Sequence, residues 1–251
     1  MIRPVLLAAL LALPVAAKAD GIAFSLSGGA GVAPTYPGSD DYEGVPVLGF
    51  SLHALDLGPV SFGDPDPLYR PQGFGLMGSF RYVPGREASD GAALAGTDDV
   101  DATVELGAGL RYGAEHWSAF AVLRHGIGGH DSLVGEVGAD AHYRPSENWT
   151  FNIGPRVLIG SDDYVDEYFG VTAAEAAAAP GGPAAAYDPS GGVVSAGVEI
   201  GAGYALGGGW GVNANLRYER LTGDAADSPL VSSEDQVRAS IGLTRRFTFG
   251  F

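Results

Sequence analysis

Residues 99–112 read DVDATVELGAGLRY, and the alternation in this stretch decides the fold. From Val100 to Tyr112 every even position is apolar or aromatic, whereas the odd positions from Asp99 to Arg111 are polar or glycine. Side chains of a β-strand point to opposite faces in turn, so this strand has one apolar and one polar face. The same period of two recurs at 133–144, 149–159, 193–206 and 210–219. The sequence therefore predicts an all-β chain of amphipathic strands.

The lengths of the strands and of their connections favour a membrane barrel over a soluble sandwich. A tilted membrane-crossing strand needs about 9–11 residues, and the alternating stretches reach that length. Short connections (113–116, 145–148 and 207–209) alternate with long ones (83–98, 160–192 and 220–235). Transmembrane barrels have short turns on the inner side of the membrane and longer loops outside. We predict a transmembrane antiparallel up-and-down β-barrel that contacts outer-membrane lipid.

Aromatic residues flank each short connection. A tyrosine comes just before the connection and a tryptophan just after it, as in the pairs Tyr112 and Trp117, Tyr143 and Trp149, and Tyr204 and Trp210. Amphipathic rings prefer the boundary between lipid headgroups and acyl chains. The six residues are therefore predicted to form an interfacial girdle at one level of the barrel.

The two ends of the chain carry export signals. Arg3, the apolar run 5–17 and the small residues Ala17 and Ala19 predict a signal peptide over residues 1–19, cleaved after Ala19. The mature domain would then be 20–251. At the other end the final strand carries alternating aromatics, which resemble the signal read by the barrel-assembly machinery: Phe247, Phe249 and Phe251. The chain has no cysteine and a formal net charge of −16, which disfavours nucleic acid as a partner.

Direction along the chain constrains the number of strands. Ten strands are predicted at 22–32, 45–53, 73–82, 99–112, 117–125, 133–144, 149–159, 193–206, 210–219 and 236–251. Residues 54–72 must begin and end at the short-turn side, as a long turn or as a pair of strands. A pair is favoured, which gives about twelve strands; ten is the alternative. Both counts are even, as is usual for bacterial barrels.

Four stretches resemble the MipA/OmpV family (MltA-interacting protein) of outer-membrane proteins: 33–42, 129–130, 162–171 and 221–231. The residues that carry the resemblance are Tyr36, Gly38, Ser39, Asp40, Asp41, Tyr42, His130, Asp162, Asp163, Tyr164, Tyr168, Phe169, Gly170, Asp224, Asp227, Ser228 and Pro229. The resemblance implies an outer-membrane barrel that is a scaffold between a lytic transglycosylase and a penicillin-binding protein. Other members are described as surface antigens, adhesins or porin-like proteins. It implies no cofactor and no enzyme activity, and it places no partner site on particular residues.

Two motifs could carry chemistry. Residues 73–78 spell G-x-G-x-x-G, but they continue a strand instead of opening a helix, so a dinucleotide site is not expected. His125, His130, Asp131 and Ser132 could belong to a hydrolytic Ser–His site, for which Glu136 or Asp140 would supply the acid. A polar loop tip is the favoured interpretation of this cluster.

Charged residues fall into two groups. Acids bunch in the predicted loops at 40–43, 98–101 and 162–167, where solvated charge is favoured over a cation site. On the lumen side both signs mix: Glu105, Glu136, Asp140, Arg156, Glu199, Arg217 and Arg238. Thr172 and Glu175 form a capping box that predicts a short helix lying over the mouth.

A narrow barrel without a large open channel is expected. Scaffold is the leading function, a narrow porin or adhesin the alternative, and a barrel hydrolase the third.

Overall fold

A computed structural model describes residues 21–59, 61–64, 71–178, 182–183 and 185–251. The predicted signal peptide lies outside these residues. Eleven strands are described: β1 (Gly21–Pro34), β2 (Tyr42–Asp56), β3 (Ser61–Gly63), β4 (Gly73–Val83), β5 (Thr103–Gly113), β6 (Trp117–Gly128), β7 (Leu133–Tyr143), β8 (Trp149–Gly160), β9 (Gly192–Gly207), β10 (Trp210–Leu221) and β11 (Asp235–Phe249). Three α-helices lie in the connections: α1 (Asp162–Phe169), α2 (Ala173–Ala178) and α3 (Gly223–Ala226).

All the strands belong to one antiparallel sheet in the order β3-β2-β1-β11-β10-β9-β8-β7-β6-β5-β4. Chain neighbours pair with each other except β3 and β4, which are the two edges of the described sheet, and β1 pairs with β11 over Ile22 to Val32. This is the up-and-down arrangement that the alternation predicted, with a long strand at each of the ten predicted places. The sheet curls around a lumen that contains the polar faces of the strands.

The structure corrects the start of the strand predicted at 99–112. β5 begins at Thr103, because the segment before it turns back and Arg86 exchanges backbone hydrogen bonds of 2.8 Å with Val100. Val100 is only 5% exposed, in a cluster near the loops. The alternating pattern in the sequence therefore extends beyond the N-terminal end of the strand. At the C-terminus, Phe251 lies two residues beyond the end of β11.

Residues 54–72 hold a shorter pairing than predicted. β2 continues to Asp56, and β3 pairs with that end through Ala54 with Gly63 and Asp56 with Ser61. Residues 65–70 lie outside the described residues. The described sheet therefore contains ten long strands and one strand of three residues.

The outer face of the sheet is apolar and exposed. Phe74 is 83% exposed, Leu76 68% and Leu110 56%, and they alternate with less exposed lumen residues along the same strands. Such a surface is suited to acyl chains rather than to water. Within the described residues no helix has the length and apolar character to cross a bilayer.

The connections define two ends, here named the short-turn end (57–60, 114–116, 144–148 and 208–209) and the long-loop end (35–41, 84–102, 129–132, 161–191 and 222–234).

Five of the six predicted girdle aromatics pack close to other rings or to a guanidinium near the short-turn end. Tyr112 and Trp117 have ring centroids 5.4 Å apart, and Trp149 and Tyr204 4.8 Å apart. The guanidinium of Arg245 lies 5.0 Å from the ring of Trp210. Tyr143, the sixth, has its ring 6.4 Å from that of Phe151. Phe247 and Phe249 pack on Phe24 of β1, at 5.2 and 6.3 Å.

Candidate functional site: a loop cap over a charged lumen

Glu105 on β5 is the centre of a buried ion cluster in the long-loop half of the lumen. Its side chain is 0% exposed. Arg81 on β4 donates from Nε to Oε2 over 2.7 Å, and Arg124 on β6 donates from Nε to the same oxygen over 3.0 Å. Register explains the contact, since Arg81 lies directly opposite Glu105 in the β4–β5 pair. One carboxylate therefore neutralises guanidinium charge from both neighbouring strands.

The cluster continues across the lumen. Arg124 also binds Glu136 of β7 at 3.0 Å, and Arg217 of β10 binds the other oxygen of Glu136 at 2.7 Å. Two strands, β8 and β9, separate β7 from β10 in the sheet, so the second bond spans the interior rather than following the wall. Arg217 binds Glu219 as well, at 2.8 Å. The predicted lumen charges Glu136 and Arg217 are thus paired with each other.

The ion cluster extends toward the short-turn end through Glu199 of β9, which Arg217 reaches at 3.6 Å. Arg156 of β8 binds Asp140 of β7 at 2.8 Å and Glu199 of β9 at 3.2 Å. Its guanidinium also lies 5.2 Å from the ring of Phe120. Gly138 leaves room for both, because a Cβ there would lie 2.7 Å from that ring and 3.0 Å from Cδ of Arg156. Arg238, the remaining predicted lumen charge, is 45% exposed and reaches Glu219 at 4.0 Å.

Helix α1 covers the long-loop end of the lumen. It begins after Ser161, whose hydroxyl accepts from the backbone N–H of Tyr164 at 3.3 Å, and two acids in its first turn favour the helix dipole. The apolar face is fully buried against residues from the strand ends and from α3. That cluster contains Tyr164, Val165, Tyr168, Phe169, Val100, Val134, Leu158, Val194, Leu221 and Ala225. Local sequence thus makes the helix, and tertiary packing holds it over the lumen.

Hydrogen bonds anchor α1 to three other segments. Arg86 donates from Nη1 to the carbonyl of Tyr168 at 3.0 Å, and the hydroxyl of Ser228 donates to the carbonyl of Phe169 at 2.6 Å. From the lumen, Arg81 donates to the hydroxyl of Tyr164 at 3.1 Å. The backbone carbonyls left free at the end of a helix are common acceptors for such bonds. We call α1 with these loop contacts the cap.

The helix predicted after Thr172 is confirmed as α2. The N–H of Thr172 donates to Glu175 at 2.8 Å, and the N–H of Glu175 donates to the hydroxyl of Thr172 at 3.2 Å, which is the predicted capping box. Glu175 also accepts from the N–H of Asp98 at 2.9 Å, so α2 is tied to the loop that carries Arg86. Burial alone would raise the pKa of Glu175, but hydrogen bonds from Asp98 and Thr172 lower it overall.

Family-motif residues from three loops make contacts at the long-loop end. Gly38 donates its N–H to Gln236 at 3.1 Å, and the carbonyl of Ser39 accepts from the same side chain at 3.2 Å. The backbone of Asp224 accepts from Tyr187 at 2.8 Å. Gly38, with φ of +98°, also lies against Val231, so a side chain there would be strained and crowded. Asp162 accepts from Gly191, and Tyr42 accepts from Val237, whereas Asp40 and Asp41 are at or near the surface. No group of three His, Asp or Glu suited to a metal occurs in the described part of the chain.

His130 and Ser132 lie beneath the cap, and the acid beside them is not one of those predicted. Ser132 Oγ lies 2.8 Å from His130 Nδ1, and His130 Nε2 lies 3.2 Å from Oε1 of Glu105. Glu136 and Asp140, the acids expected from the strand parity of β7, bind arginines instead. Sequence reasoning missed Glu105 because it lies on β5, 25 residues from His130. His125 does not join His130 and Ser132. Its Nε2 lies 3.2 Å from Oδ1 of Asp131, on the surface.

The rings above His130 complete this centre. Tyr164 and Tyr168 of α1 meet the imidazole edge-on, with centroids 5.3 and 5.6 Å away. Gly126 leaves the space that the imidazole occupies, since a Cβ there would overlap the ring. By contrast, residues 73–78 of the G-x-G-x-x-G motif form part of β4, as the sequence indicated.

A family model for "MltA-interacting protein MipA" matches residues 26–247, nearly the whole described chain. The chain belongs to the MipA family. Its place in that family, together with the exposed apolar outer face, makes it an outer-membrane β-barrel. Comparison with curated proteins found no significant match.

Solved outer-membrane proteins resemble the MipA-family chain only distantly. The porin OmpF of Salmonella typhi, solved as a complex with daunomycin, is 14% identical with a TM-score of 0.35; the alignment covers 80% of this chain, which spans about half (50%) of that porin. The channel DcaP of Acinetobacter baumannii is 8% identical with a TM-score of 0.36, over 91% and 96% of the two chains. Neisserial surface protein A is 10% identical with a TM-score of 0.32, over 91% and 98%.

Proposed function

We propose that this outer-membrane barrel is a scaffold with a closed lumen, which links the outer membrane to murein-remodelling enzymes. A lytic transglycosylase and a penicillin-binding protein are the expected partners. The description of the family as MltA-interacting supports a protein partner. The pairing of buried lumen charges supports a structural role for the barrel interior.

The observation that carries the closed lumen is the Arg217–Glu136 bond of 2.7 Å between β10 and β7. A conducting pore keeps wall charges hydrated, whereas here charges from two strands that are not neighbours in the sheet bind each other. Separating such a pair inside a barrel leaves two partly buried charges without partners, which is costly. The cap lies over the same half of the lumen and adds a second closure.

In the proposed topology the short-turn end faces the periplasm and the long-loop end faces outward. The signal peptide is removed after Ala19, and the assembly machinery reads the aromatic positions Phe247, Phe249 and Phe251. Three of the four segments that join long strands at that end are short turns, so partner contact would centre on the fourth, 57–72, which is longer and includes β3.

The test of the scaffold is affinity capture of the tagged full-length protein from detergent-solubilised envelopes. Enrichment of a lytic transglycosylase over the level captured by an unrelated barrel is expected. Replacement of 57–72 by a short turn should abolish that enrichment, and the matched cap variant Arg86→Ala should retain it. Equal capture by the unrelated barrel would refute the scaffold.

The closed lumen is tested separately by planar-bilayer recording. The unmodified protein should give no reproducible conductance steps. Steps of uniform size from the unmodified protein would overturn the closed lumen and favour the narrow porin instead.

A further inference from the structure

Ser132, His130 and Glu105 form a continuous series of hydrogen-bonded side chains. The imidazole of His130 lies between the other two, with Ser132 Oγ 2.8 Å from Nδ1 and Glu105 Oε1 3.2 Å from Nε2. A hydroxyl, an imidazole and a carboxylate in this order are the components that make a serine nucleophilic. All three are at most 4% exposed, so water competes little with these bonds.

A second Ser–His pair in the chain shows what distinguishes this one. Ser25 Oγ lies 2.7 Å from His53 Nε2, as close as the first pair, but the charged group that acts on His53 is Arg246. A carboxylate stabilises the imidazolium that forms when histidine accepts a proton, whereas a guanidinium opposes it. Arg81 and Arg124 bind the same carboxylate of Glu105 and offset part of that stabilisation. Ser25 is therefore an internal control for Ser132.

An unpartnered hydroxyl lies beside the series. Tyr168 is 1% exposed, its ring meets the imidazole of His130 edge-on, and its hydroxyl lies near Thr103 without hydrogen-bond geometry to any described residue. Buried polar groups nearly always have a hydrogen-bond partner, so a buried donor without one indicates a place for a ligand. Burial raises the pKa of Tyr168, which keeps the phenol a neutral donor. A neutral phenol whose ring contacts the base is a candidate donor to the oxyanion that develops at the attacked carbonyl.

We propose that Ser132 is the nucleophile of an acyl-transfer site for carboxylic esters, with His130 as its base, Glu105 as a positioning residue and Tyr168 as oxyanion donor. Ser132 Oγ attacks the acyl carbon, and its proton passes to His130 Nδ1. The ester C–O bond breaks, and the alcohol leaves with that proton. Water then attacks the acyl-serine by the same route, which releases the acid and restores the hydroxyl.

The surroundings select the substrate class and the means of entry. The cap cluster over the site is apolar and aromatic, so an uncharged acyl chain fits better than a charged one. Ser132 is buried and rings of α1 lie against its partner His130, so the cap must lift before an ester enters. The bond from Arg86 to the carbonyl of Tyr168 holds the cap down, so its loss should expose the serine. This proposal is independent of the scaffold role.

The test is labelling of the folded full-length protein by a fluorophosphonate probe, with the modified residue located by peptide mass spectrometry. Label is expected on Ser132, at least tenfold less in His130→Gln, absent in Ser132→Ala, unchanged in Ser25→Ala and increased in Arg86→Ala. Hydrolysis of p-nitrophenyl butyrate should follow the same order. Heat-modifiable migration on gels verifies that each variant is folded.

Glu105→Gln tests the positioning role where the variant folds. Loss of the carboxylate should lower kcat for p-nitrophenyl butyrate with little change in KM, because the imidazole loses the group that positions it. A purely structural glutamate would leave kcat of the folded variant in place. If neither the unmodified protein nor Arg86→Ala carries label on Ser132 above the Ser132→Ala background, the site does not exist.

Discussion

The two halves of the lumen are built differently although the strands that form them are continuous. The long-loop half holds long charged side chains in a bonded cluster around Glu105 and Arg124, both nearly inaccessible. The short-turn half is lined by glycine and short polar residues. Their side chains form isolated hydrogen bonds, such as that from the hydroxyl of Thr244 to Asn213 at 3.0 Å. Arg111 in this half binds a neutral acceptor, the carbonyl of Pro71, at 3.5 Å. The same strands therefore surround one half of the lumen with many ion pairs and the other half with few polar contacts.

The largest expected difference between the halves is in the cost of removing one side chain. Glu105→Ala leaves Arg81 and Arg124 buried without their shared carboxylate, and should lower the free energy of unfolding by about 3–5 kcal/mol. Asn213→Ala in the short-turn half loses one neutral hydrogen bond and should cost about 1 kcal/mol. Urea unfolding in lipid vesicles measures both. Equal costs would mean that the charged cluster contributes no special stability.

Glycines sharpen the same contrast. A Cβ at Gly126 in the long-loop half would overlap the imidazole of His130, so Gly126→Ala should cost about 2 kcal/mol through overpacking. At Gly203 in the short-turn half the nearest atom to such a Cβ is 4.0 Å away, and Gly203→Ala should be nearly neutral. Unfolding under the same conditions compares the two; a neutral Gly126→Ala would show that His130 has room to move.

The wall of the barrel was predictable from the sequence, because the faces of a strand follow from the period of two alone. Leu110 and Arg111 are assigned to the correct faces by position and need no knowledge of their neighbours. Strand ends were less predictable: Val100 continues the alternation, yet it belongs to a loop that turns back on Arg86. Whether a residue pairs in a ladder or packs under a helix depends on contacts that a local pattern does not encode.

The site was predicted in its parts but not in its assembly. His130 and Ser132 were singled out as a Ser–His cluster in one loop, and Tyr164 and Tyr168 as family-motif residues in another. Glu105 was recognised only as a lumen charge, since its contact with His130 depends on how a loop folds over β5. Charge pairing across the lumen could likewise not be predicted from the sequence, because the Arg217–Glu136 contact depends on how tightly the sheet curls.

The cap offers a smaller effect that is local to the long-loop half. Arg86→Ala removes a charged donor from the carbonyl of Tyr168 and should lower the local stability of α1 by about 1.5 kcal/mol. Proteolysis of the 161–191 loop should then accelerate roughly tenfold, which is the rate equivalent of that energy. Arg111→Ala, at the short-turn end, is the matched control and should leave the cleavage rate unchanged. Cleavage at the unmodified rate in Arg86→Ala would show that α1 is held by its apolar face alone.

The smallest effect is a pH dependence at the outer edge of the cap. The pKa of Glu175 is lowered from its ordinary 4.5, so its contribution to the folded loops is fully present above pH 4.5 and is lost as pH falls through the lower folded value. Amide exchange at Asp98 and Thr172, corrected for intrinsic rates, should therefore rise in that acidic window, while amides of the β7–β8 ladder in the wall stay protected. Glu175→Gln should remove the pH dependence, because an amide does not titrate. If exchange at both amides kept its acid dependence in Glu175→Gln, the response would belong to other loop carboxylates, and the tie between α2 and the Arg86 loop would not be the titrating contact.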